Sequence, residues 1–392
     1  MPTVTVDIFE TTNHGLEYSG PAETWTIDTG VLVASQEMDG VVSEQDGSTL
    51  INNGYIFGGN IGARFDNPNA TITNNAGYSI VGLVAGIVAN DANATIFNHG
   101  LVSGSSQFGI FASNGATNFA LTNSGEVYGR QGGVAIASTV DGGTINNSGF
   151  IHSGIDGVLI ATANGLATVI GNAAGGTIAG NVTAIHTLDT GGRIALTNNG
   201  KIDGDILLEA SSGNVNDSIV NRGKIIGEVH LGDGADLFNG NAGKFPVVVF
   251  GEEANDKLIG GKGNDKLDGG AGADVLTGGR GKDLLFGGAD RDLFDFNSIK
   301  DSVRGGKRDK ILDFQRGTDD IDLKGIDAHK GVSGNQKFKW IGKQDFHDKK
   351  GELRYEDKGS KVIVQGDVNG DGKADFEIWV GVGALSKGDF LL

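Results

Sequence analysis

The sequence predicts an all-β protein, and two repeats of different length support that prediction. The first repeat returns every 23 to 26 residues before residue 230, and the second returns every nine residues between 251 and 295. Glycine composition agrees, because 68 glycines without a strict three-residue period fit frequent tight turns and not a collagen helix. We therefore predict an N-terminal parallel β-helix that is followed by a second, shorter β array.

One sequence motif, which reads as a strand followed by a turn, recurs eight times in the first 230 residues. It consists of an apolar residue, a position that is usually asparagine, a glycine, and then isoleucine or valine. The alternation is typical of short strands, and glycine supports the turn conformations that other residues resist. Leucine-rich repeats have a similar length but a denser leucine pattern. A parallel β-helix with one coil per repeat, stacked about 4.8 Å apart, therefore fits better.

Two apolar columns are expected to fill the interior of this β-helix. The first contains Leu50, Ile72, Ile96, Leu121, Ile145, Val169, Leu196 and Ile219, and the second contains Ile56, Ile80, Val102, Val127, Ile151, Ile178, Ile202 and Ile225. Stacked asparagines are expected at one corner, because a side-chain amide can donate to one coil and accept from the next: Asn52, Asn74, Asn98, Asn123, Asn147, Asn198 and Asn221. Gly171 occupies this position in the sixth repeat, so either Asn172 replaces it or the ladder breaks.

Charge and composition narrow the partners that the chain can have. The formal net charge of −18 argues against nucleic acid and against anionic membrane surfaces, which would repel the chain. There is no cysteine, so a bound metal would need oxygen or imidazole ligands. The first residues, MPTVTVD, do not read as a secretory signal peptide. No stretch is long and apolar enough for a membrane span.

Nonapeptides rich in glycine and aspartate follow the first region. Their aspartates are nine residues apart, and the residue two positions after each is apolar: Asp256, Asp265, Asp274, Asp283 and Asp292. The pattern glycine-glycine-x-glycine-x-aspartate-x-apolar-x resembles that of the RTX (repeats-in-toxin) family. Five copies in register make this resemblance specific.

The resemblance implies an RTX parallel β-roll that binds Ca²⁺. In the family two nonapeptides form one coil, so Asp256 and Asp274, and likewise Asp265 and Asp283, are expected to face shared ions. The outer copies depart from the pattern at 252–254 and at Asp290, so sites there are less certain. The expected metal-binding residues are Asp256, Gly261, Gly263, Asp265, Gly270, Gly272, Asp274, Gly279, Gly281, Asp283 and Asp292. Since the carboxylates repel one another without the ion, calcium binding is expected to drive folding.

The C-terminal part carries a second resemblance. The segment 309–323, DKILDFQRGTDDIDL, resembles the one that follows the roll in the serralysin C-terminal domain, and the ending DFLL resembles that family's export signal. Together with the N-terminus, this implies export by type I secretion machinery and an extracellular, secreted protein. Serralysins are zinc proteases, but no histidine here is followed by glutamate, so HExxH is missing and a zinc protease is rejected.

A second candidate metal site lies near the C-terminus. The segment 367–375 matches the first nine positions of an EF-hand loop, with candidate ligands Asp367, Asn369, Asp371 and Asp375. Position twelve of such a loop would be Ile378 where glutamate is expected, and no helices are predicted around it. The sequence leaves a calcium site and a plain hairpin turn equally open.

The chain is thus divided into four predicted parts. They are an N-terminal cap (1–47), a parallel β-helix of about eight coils (48–230), the RTX calcium-binding β-roll (231–296) and a serralysin-like C-terminal domain with the secretion signal (297–392). The boundary near 231 coincides with a rise in charge, since residues 1–230 carry only 6 Lys and Arg and 20 Asp and Glu.

The role of the β-helix has two interpretations. We expect a non-enzymatic rod that acts as an adhesin, a matrix component or a carbohydrate-binding surface, with extracellular polysaccharide as a further partner. The alternative is a polysaccharide lyase or epimerase on the outward column that contains Tyr128, His152 and Asp203, because tyrosine and histidine can act as acid and base. Such an enzyme must also neutralise the uronate carboxylate, and six basic residues against twenty acidic ones are a poor provision for this, although Arg130, Arg193, Arg222 or added calcium could contribute.

Overall fold

The protein is all-β, which confirms the predicted fold class. The computed structural model describes residues 2–18, 23–113, 115, 117–137, 142–162, 167–188, 192–209, 215–329 and 331–392. Within these ranges there are 42 strands and two single 3₁₀ turns, and no α-helix. The chain divides into two compact units, Met1–Val215 with Gly223–Gly227 and Asn216–Arg222 with Glu228–Leu392, which we describe separately.

The first unit is a parallel β-solenoid in which each coil contributes to three rows of strands. The first row is β1 Thr3–Val4, β4 Thr24–Ile27, β7 Thr49–Asn52, β10 Thr71–Asn74, β13 Thr95–Asn98, β16 Ala120–Asn123, β19 Thr144–Asn147, β22 Ala167–Asn172 and β24 Arg193–Asn198. The second row is β2 Ile8–Glu10, β5 Leu32–Ser35, β8 Tyr55–Gly58, β11 Ser79–Gly82, β14 Leu101–Gly104, β17 Glu126–Gly129 and β20 Phe150–Ser153. The third row is β3 Leu16–Tyr18, β6 Val41–Ser43, β9 Ile61–Phe65, β12 Ala85–Ala89, β15 Phe108–Ala112, β18 Gly132–Ile136 and β21 Asp156–Ile160. The long strands β23 Thr177–Thr187 and β25 Lys201–Leu208 run on from the second row, where β27 Lys224–Ile226 follows them.

The predicted second apolar column is confirmed, and the first contains one error. Every member of the second column pairs in register with the next and is buried. In the first column Ile170, and not Val169, pairs with Ile145, and Val169 is 44% exposed. Ile170 lies two residues before the ladder residue Asn172, as Ile145 lies two residues before Asn147, so the asparagine sets the register.

A continuous asparagine ladder stabilises the corner that follows the first row. Each side-chain amide donates to the amide oxygen of the next coil at 2.8–2.9 Å, and the series runs through Asn52, Asn74, Asn98, Asn123, Asn147, Asn172 and Asn198. Asn172 therefore replaces Gly171 and the ladder does not break. All of these side chains are buried, so each amide satisfies a neighbour that water cannot reach.

The N-terminal stretch 1–47, for which we predicted a cap, supplies strands in the same three rows. Its strands β1–β3 and β4–β6 pair parallel to each other and then to β7–β9. They form two coils of the same kind as those that follow. The division into four domains stays a prediction.

The second unit starts with two parallel rows and ends with a mixed sheet. The first row is β26 Ser218–Asn221, β29 Leu237–Asn239, β31 Lys257–Gly261, β33 Val275–Gly279, β35 Leu293–Asp295, β37 Asp320–Asp322 and β42 Phe390–Leu391. The second row is β28 Glu228–His230, β30 Val248–Glu253, β32 Lys266–Ala271, β34 Leu284–Ala289, β36 Asp309–Ile311 and β41 Phe376–Val380. Beyond β41 the sheet continues through β40 Val362–Asp367, β39 Glu352–Asp357 and β38 Lys339–Gly342, and the 3₁₀ turns are Gly305–Lys307 and Lys387–Asp389.

Apolar side chains from each nonapeptide fill the interior of the roll. Leu258, Leu267, Leu276, Leu285 and Phe294 are all fully buried. Each lies two residues after a repeat aspartate, as the sequence pattern requires. No helix in the described ranges is long and apolar enough to cross a membrane.

We expect Asn147→Ala to lower the free energy of unfolding of the first unit by about 3 kcal/mol, because the buried amide oxygen of Asn172 loses its ladder donor and Asn123 loses its ladder acceptor. Asn146 lies on the same strand but is exposed, so Asn146→Ala should change stability by less than about 0.5 kcal/mol. Urea denaturation followed by circular dichroism measures both. Equal losses in the two variants would contradict the structural role of the ladder.

Candidate calcium-binding site

Two ladders of aspartates run along the turns of the second unit, one on each edge. On the first edge the backbone N–H of Asp236, Asp256 and Asp274 donates to Oδ1 of the aspartate one coil further, at 2.8, 2.7 and 3.0 Å. On the second edge Asp265 donates to Asp283 and Asp283 to Asp309, both at 2.8 Å. The alternation arises because two nonapeptides make one coil, so residues 18 apart lie on the same edge. The expected pairs Asp256 with Asp274 and Asp265 with Asp283 are therefore direct neighbours.

The other oxygen of each ladder carboxylate has no hydrogen-bond partner. Oδ2 is buried and unpartnered in seven aspartates: Asp236, Asp256, Asp265, Asp274, Asp283, Asp292 and Asp309. Their side chains are at most 3% exposed. Buried polar atoms are almost always satisfied, and an unpaired buried charge is far more costly than an unpaired neutral group. A row of such oxygens requires either protons or cations.

The first glycine of each repeat makes room beside that oxygen. A Cβ atom on Gly251, Gly260, Gly269, Gly278 or Gly287 would lie 2.2–2.5 Å from Oδ2 of the aspartate five residues later. A Cβ atom on Gly251 would also lie 2.4 Å from the carbonyl oxygen of Gly269. A Cβ atom on Gly269 would lie 2.6 Å from the carbonyl oxygen of Gly287. Carboxylate and carbonyl oxygens thus converge on one space. Our sequence prediction omitted these five glycines, although their recurrence as the first residue of each repeat was a usable signal.

The second residue of each repeat turn, and the fourth residue of every repeat turn except 260–265, adopt a left-handed backbone conformation. Their φ angles are +132° at Gly261, +103° at Gly270, +129° at Gly272, +88° at Gly279 and +153° at Gly281. The outer copies keep this geometry without glycine, since φ is +77° at Glu252 and Ala254 and +75° at Asp290. Such conformations cost roughly 1–2 kcal/mol in residues that have a Cβ atom. The departures in sequence therefore strain these turns without changing their shape.

Burial is the main cause of raised pKa values along both ladders. Desolvation, with repulsion from neighbouring carboxylates, raises the pKa of Asp256, Asp265 and Asp292 to about 7. It raises the pKa of Asp274 and Asp283 to about 6, although backbone N–H donors act in the opposite direction. The pKa of the two end residues, Asp236 and Asp309, is raised to about 9. A bound cation would oppose these shifts, because it stabilises the ionised form of the carboxylates.

These oxygens fit a calcium ion. In the described part of the chain no three Asp, Glu or His side chains lie close enough to hold a metal together. Backbone carbonyls must therefore provide most of the ligands, as the space beside Gly251 and Gly269 allows. Ca²⁺ takes six to eight oxygen ligands in flexible geometry, whereas a site of this kind has no imidazole or thiolate for a softer metal.

The candidate loop at 367–375 differs from the ladders because its carboxylates are already satisfied. Asp367 accepts the backbone N–H groups of Asn369, Gly370 and Gly372, and Asp375 accepts those of Val368 and Asn369. The side chain of Asn369 also donates to Asp375 at 2.9 Å, and Asp371 accepts the N–H of Lys373. Calcium binding by this loop stays a prediction.

The outward column of the first unit places Tyr128 and His152 side by side. Their ring centroids are 5.0 Å apart, and His152 also stacks on Phe150 at 4.1 Å. His152 Nε2 lies 2.8 Å from a carboxylate oxygen of Glu126, so that nitrogen has a partner. Asp203 lies two coils beyond His152 and contacts the Lys201 ammonium. The structure thus brings two of the three candidates together and leaves Asp203 apart.

We expect the second unit, in the presence of a chelator, to be more stable at pH 5 than at pH 8. The five repeat aspartates bind protons in the metal-free fold with pKa values of about 6 to 7, whereas aspartates in the unfolded chain bind them near pH 4. The stabilisation of the second unit by these bound protons is therefore complete below about pH 4 and is lost as pH rises through 6 to 7.

The measurement is a urea titration of the full chain in chelator at both pH values. Fluorescence of Trp340 and Trp379 in a Trp25→Phe background reports on the second unit, since the chain has three tryptophans. With saturating calcium the ions replace the protons, and this dependence should disappear or reverse. Greater stability at pH 8 in chelator would show that the ladder carboxylates are ionised in the metal-free fold.

Comparison with known proteins supports calcium as the ligand. A family model described as the RTX calcium-binding nonapeptide repeat (4 copies) matches residues 250–285 and 268–298. The solution structure of the AlgE6R3 subunit from the Azotobacter vinelandii mannuronan C5-epimerase is similar at 25% identity, over 38% of this chain and 78% of that one, with a TM-score of 0.28. No curated protein matches the chain. The chain therefore carries RTX nonapeptide repeats, which bind calcium, within a parallel β-solenoid.

Proposed function

We propose that this chain is a secreted calcium-binding RTX protein without catalytic activity, which displays the β-helix as an adhesin, matrix or carbohydrate-binding surface. The row of buried, unpartnered carboxylate oxygens carries the proposal. Bound cations stabilise such a row in its ionised form, and millimolar calcium is characteristic of the extracellular medium. The net charge of −18 agrees with a protein that gathers divalent cations.

The proposed route is type I secretion through an uncleaved C-terminal signal. The resemblance of 309–323 and of the final DFLL to the serralysin C-terminal domain supports it. Coupling between calcium and folding fits such a route, because a chain kept unfolded at low calcium folds after export. The proposed calcium ligands are the repeat aspartates with the carbonyl groups of their glycine turns.

A second candidate function is modification of an acidic polysaccharide on the first unit. The contact between Tyr128 and His152 favours it, because an acid and a base at one sugar carbon are what a lyase or epimerase needs. Arg130 lines a groove with Ser106, Gln131, Gly154 and Ile155, at the corner that follows the strands of Tyr128 and His152. That guanidinium is a candidate partner for a uronate carboxylate.

We expect Asp265→Ala combined with Asp274→Ala to weaken calcium-induced β structure strongly, because one unpartnered oxygen is removed from each ladder. Asp290 lies in the same array but is exposed and is not a ladder member. Asp290→Asn is therefore a matched control and should titrate as the unmodified chain does. Calcium titrations followed by circular dichroism make the comparison. An unchanged titration in the double variant would refute the assignment of the ligands.

Catalysis can be tested with purified protein, calcium and a panel of acidic polysaccharides. We expect calcium-dependent binding to one or more polymers, and neither unsaturated uronates nor epimerised residues in the products. His152→Ala is the informative variant, and His99→Ala is its control because His99 is exposed elsewhere on the first unit. Turnover that is lost in His152→Ala and kept in His99→Ala would establish the enzymatic alternative in place of our proposal.

A further inference from the structure

A pocket with a basic lining lies on the second edge of the second unit, in a chain whose formal net charge is −18. Its volume is about 450 Å³, which is within the range of ligand-binding sites. Four of its lining residues are positively charged: Arg280, Lys282, Lys300 and Lys307. We propose that this basic pocket binds the acidic groups of an anionic polysaccharide.

The four basic side chains of the pocket have no acidic partner. All four are exposed, and none of them forms an ion pair or a side-chain hydrogen bond with the part of the chain that the structure describes. Other basic residues of the second unit are paired, since Arg308 contacts Glu377 at 2.8 Å and Lys343 contacts Asp357 at 2.7 Å. Like charges around one space repel each other, and a bound anion removes that repulsion.

The fold of the repeat turns does not require these charges. The nonapeptide pattern leaves the third residue of each turn open, and the two edges use that freedom differently. On the second edge the third residue is Lys262 and then Arg280, whereas on the first edge it is Glu253, Ala271 and Ala289. Positive charge is therefore concentrated on one edge for a reason other than the shape of the turn.

The carboxylates closest to the pocket are buried beneath its surface. Asp283 and Asp309 belong to the ladder and are fully buried. Asp301 is 9% exposed and accepts the N–H of Asn297 at 2.9 Å. Burial raises the pKa of Asp301, and the nearby Arg280 opposes that shift. The surface that a ligand can reach is therefore basic.

Calcium on the second edge should strengthen the binding of an anion. Arg280 and Lys282 lie in the turn 278–283, which is joined to the turn 260–265 by a hydrogen bond from the Lys282 N–H to the Asn264 side chain at 3.0 Å. A calcium ion between these turns would hold them together and offset the negative charge of the ladder beneath the pocket. The pocket would then be both ordered and more strongly positive.

A polysaccharide chain fits this pocket better than other polyanions do. Nucleic acids and anionic membranes present dense charge over a large surface, which a chain of net charge −18 repels. A single polysaccharide chain is thin enough to contact the basic pocket alone.

The lining also suits the chemistry of an acidic sugar. Arg280 can hold a carboxylate or a sulfate through two parallel N–H donors, and the lysines act as point charges. Val303, which is 40% exposed, lines the same pocket and offers an apolar contact to a sugar ring. The choice of an extracellular polymer rests on the proposed function, whereas the anion site rests on the pocket itself.

The test compares two pairs of substitutions in the full chain. Arg280→Gln with Lys282→Gln changes the pocket, and Lys349→Gln with Lys387→Gln removes the same charge from exposed positions of the second unit that do not line it. Biolayer interferometry in millimolar calcium, at two salt concentrations, measures binding to an immobilised polyuronate and to an immobilised sulfated polysaccharide.

We expect the pocket variant to bind at least about tenfold more weakly than the unmodified chain, because it loses two charge-assisted contacts. The control should stay within about twofold of the unmodified chain, since isolated surface charges contribute little. Higher salt should weaken binding of the unmodified chain. Binding to one polymer alone would identify carboxylate or sulfate as the acidic group, and binding to both would show that the pocket accepts either.

Calcium titrations of the same variants by circular dichroism separate this site from the calcium array. A titration of the pocket variant that matches the unmodified chain shows that lost polysaccharide binding is not lost folding. If the titration differs, Lys300→Gln with Lys307→Gln decides, because these residues lie outside the repeats that the family model matches.

Three results would overturn the proposal. Polysaccharide binding that the pocket variant retains would exclude this site and leave the β-helix as the carbohydrate-binding surface of the proposed function. No binding of either polymer by the unmodified chain, with a normal calcium titration, would exclude anionic polysaccharide as the ligand. Equally tight binding of double-stranded DNA or anionic phospholipid vesicles, lost in the pocket variant, would assign the pocket to another polyanion.

Discussion

The structure of the second unit depends on the cost of leaving a buried carboxylate oxygen without a partner. Stacking turns at the spacing of β-strands brings one aspartate above another, and each backbone N–H satisfies only one oxygen of the next side chain. The same stacking of turns also buries the second oxygen of each carboxylate, which has no partner. Desolvation of a charge costs several kcal/mol even after relaxation, and the one fully buried apolar side chain of each nonapeptide contributes about 2 kcal/mol. The coil is therefore stable only when something else neutralises the row.

The two units meet the same geometric requirement with different side chains. In the first unit the stacked residue is asparagine, whose amide both donates and accepts, so Asn98, Asn123 and Asn147 satisfy one another in sequence. In the second unit the stacked residue is aspartate, which only accepts once it is ionised. A ladder of amides is complete in itself, whereas a ladder of carboxylates needs protons or cations. The replacement of an amide nitrogen by an oxygen thus leaves the second unit with buried acceptors that its own ladder does not satisfy.

Much of this architecture could be predicted from the sequence, because each coil contributes one residue to each column. The repeat of 23 to 26 residues alone predicted the outward column of Tyr128 and His152, the second apolar column and the corner of stacked asparagines. The prediction failed at Val169, because Val169 and Ile170 are adjacent and both β-branched, and only the position of Asn172, two residues after Ile170, shows which of them faces inward. Strand register follows the buried asparagine and not the glycine, because the asparagine is the residue with a hydrogen-bonding requirement.

The candidate site was harder to predict in the outer repeat copies than in the central ones. Sequence pattern finds a turn by its glycines, so Glu252, Ala254 and Asp290 suggested weakened sites, yet all three adopt the left-handed backbone. Neighbouring coils impose this conformation, since Gly270 and Gly272 pack against Glu252 and Ala254. Strain at an outer turn is therefore offset by the ladder that continues through it.

The same reasoning explains why the ladder extends beyond the repeats. In each stacked turn a backbone N–H points towards the next turn on the same edge, where an aspartate carboxylate accepts it. The C-terminal end stops at Asp319, whose second oxygen finds the N–H of Gln315. On the N-terminal side Asp217 donates its N–H to Oδ1 of Asp236, whose Oδ2 is buried without a partner. The hydrogen-bonded ladder is therefore longer than the nonapeptide pattern, because it follows the stacking of the turns and not the presence of their glycines.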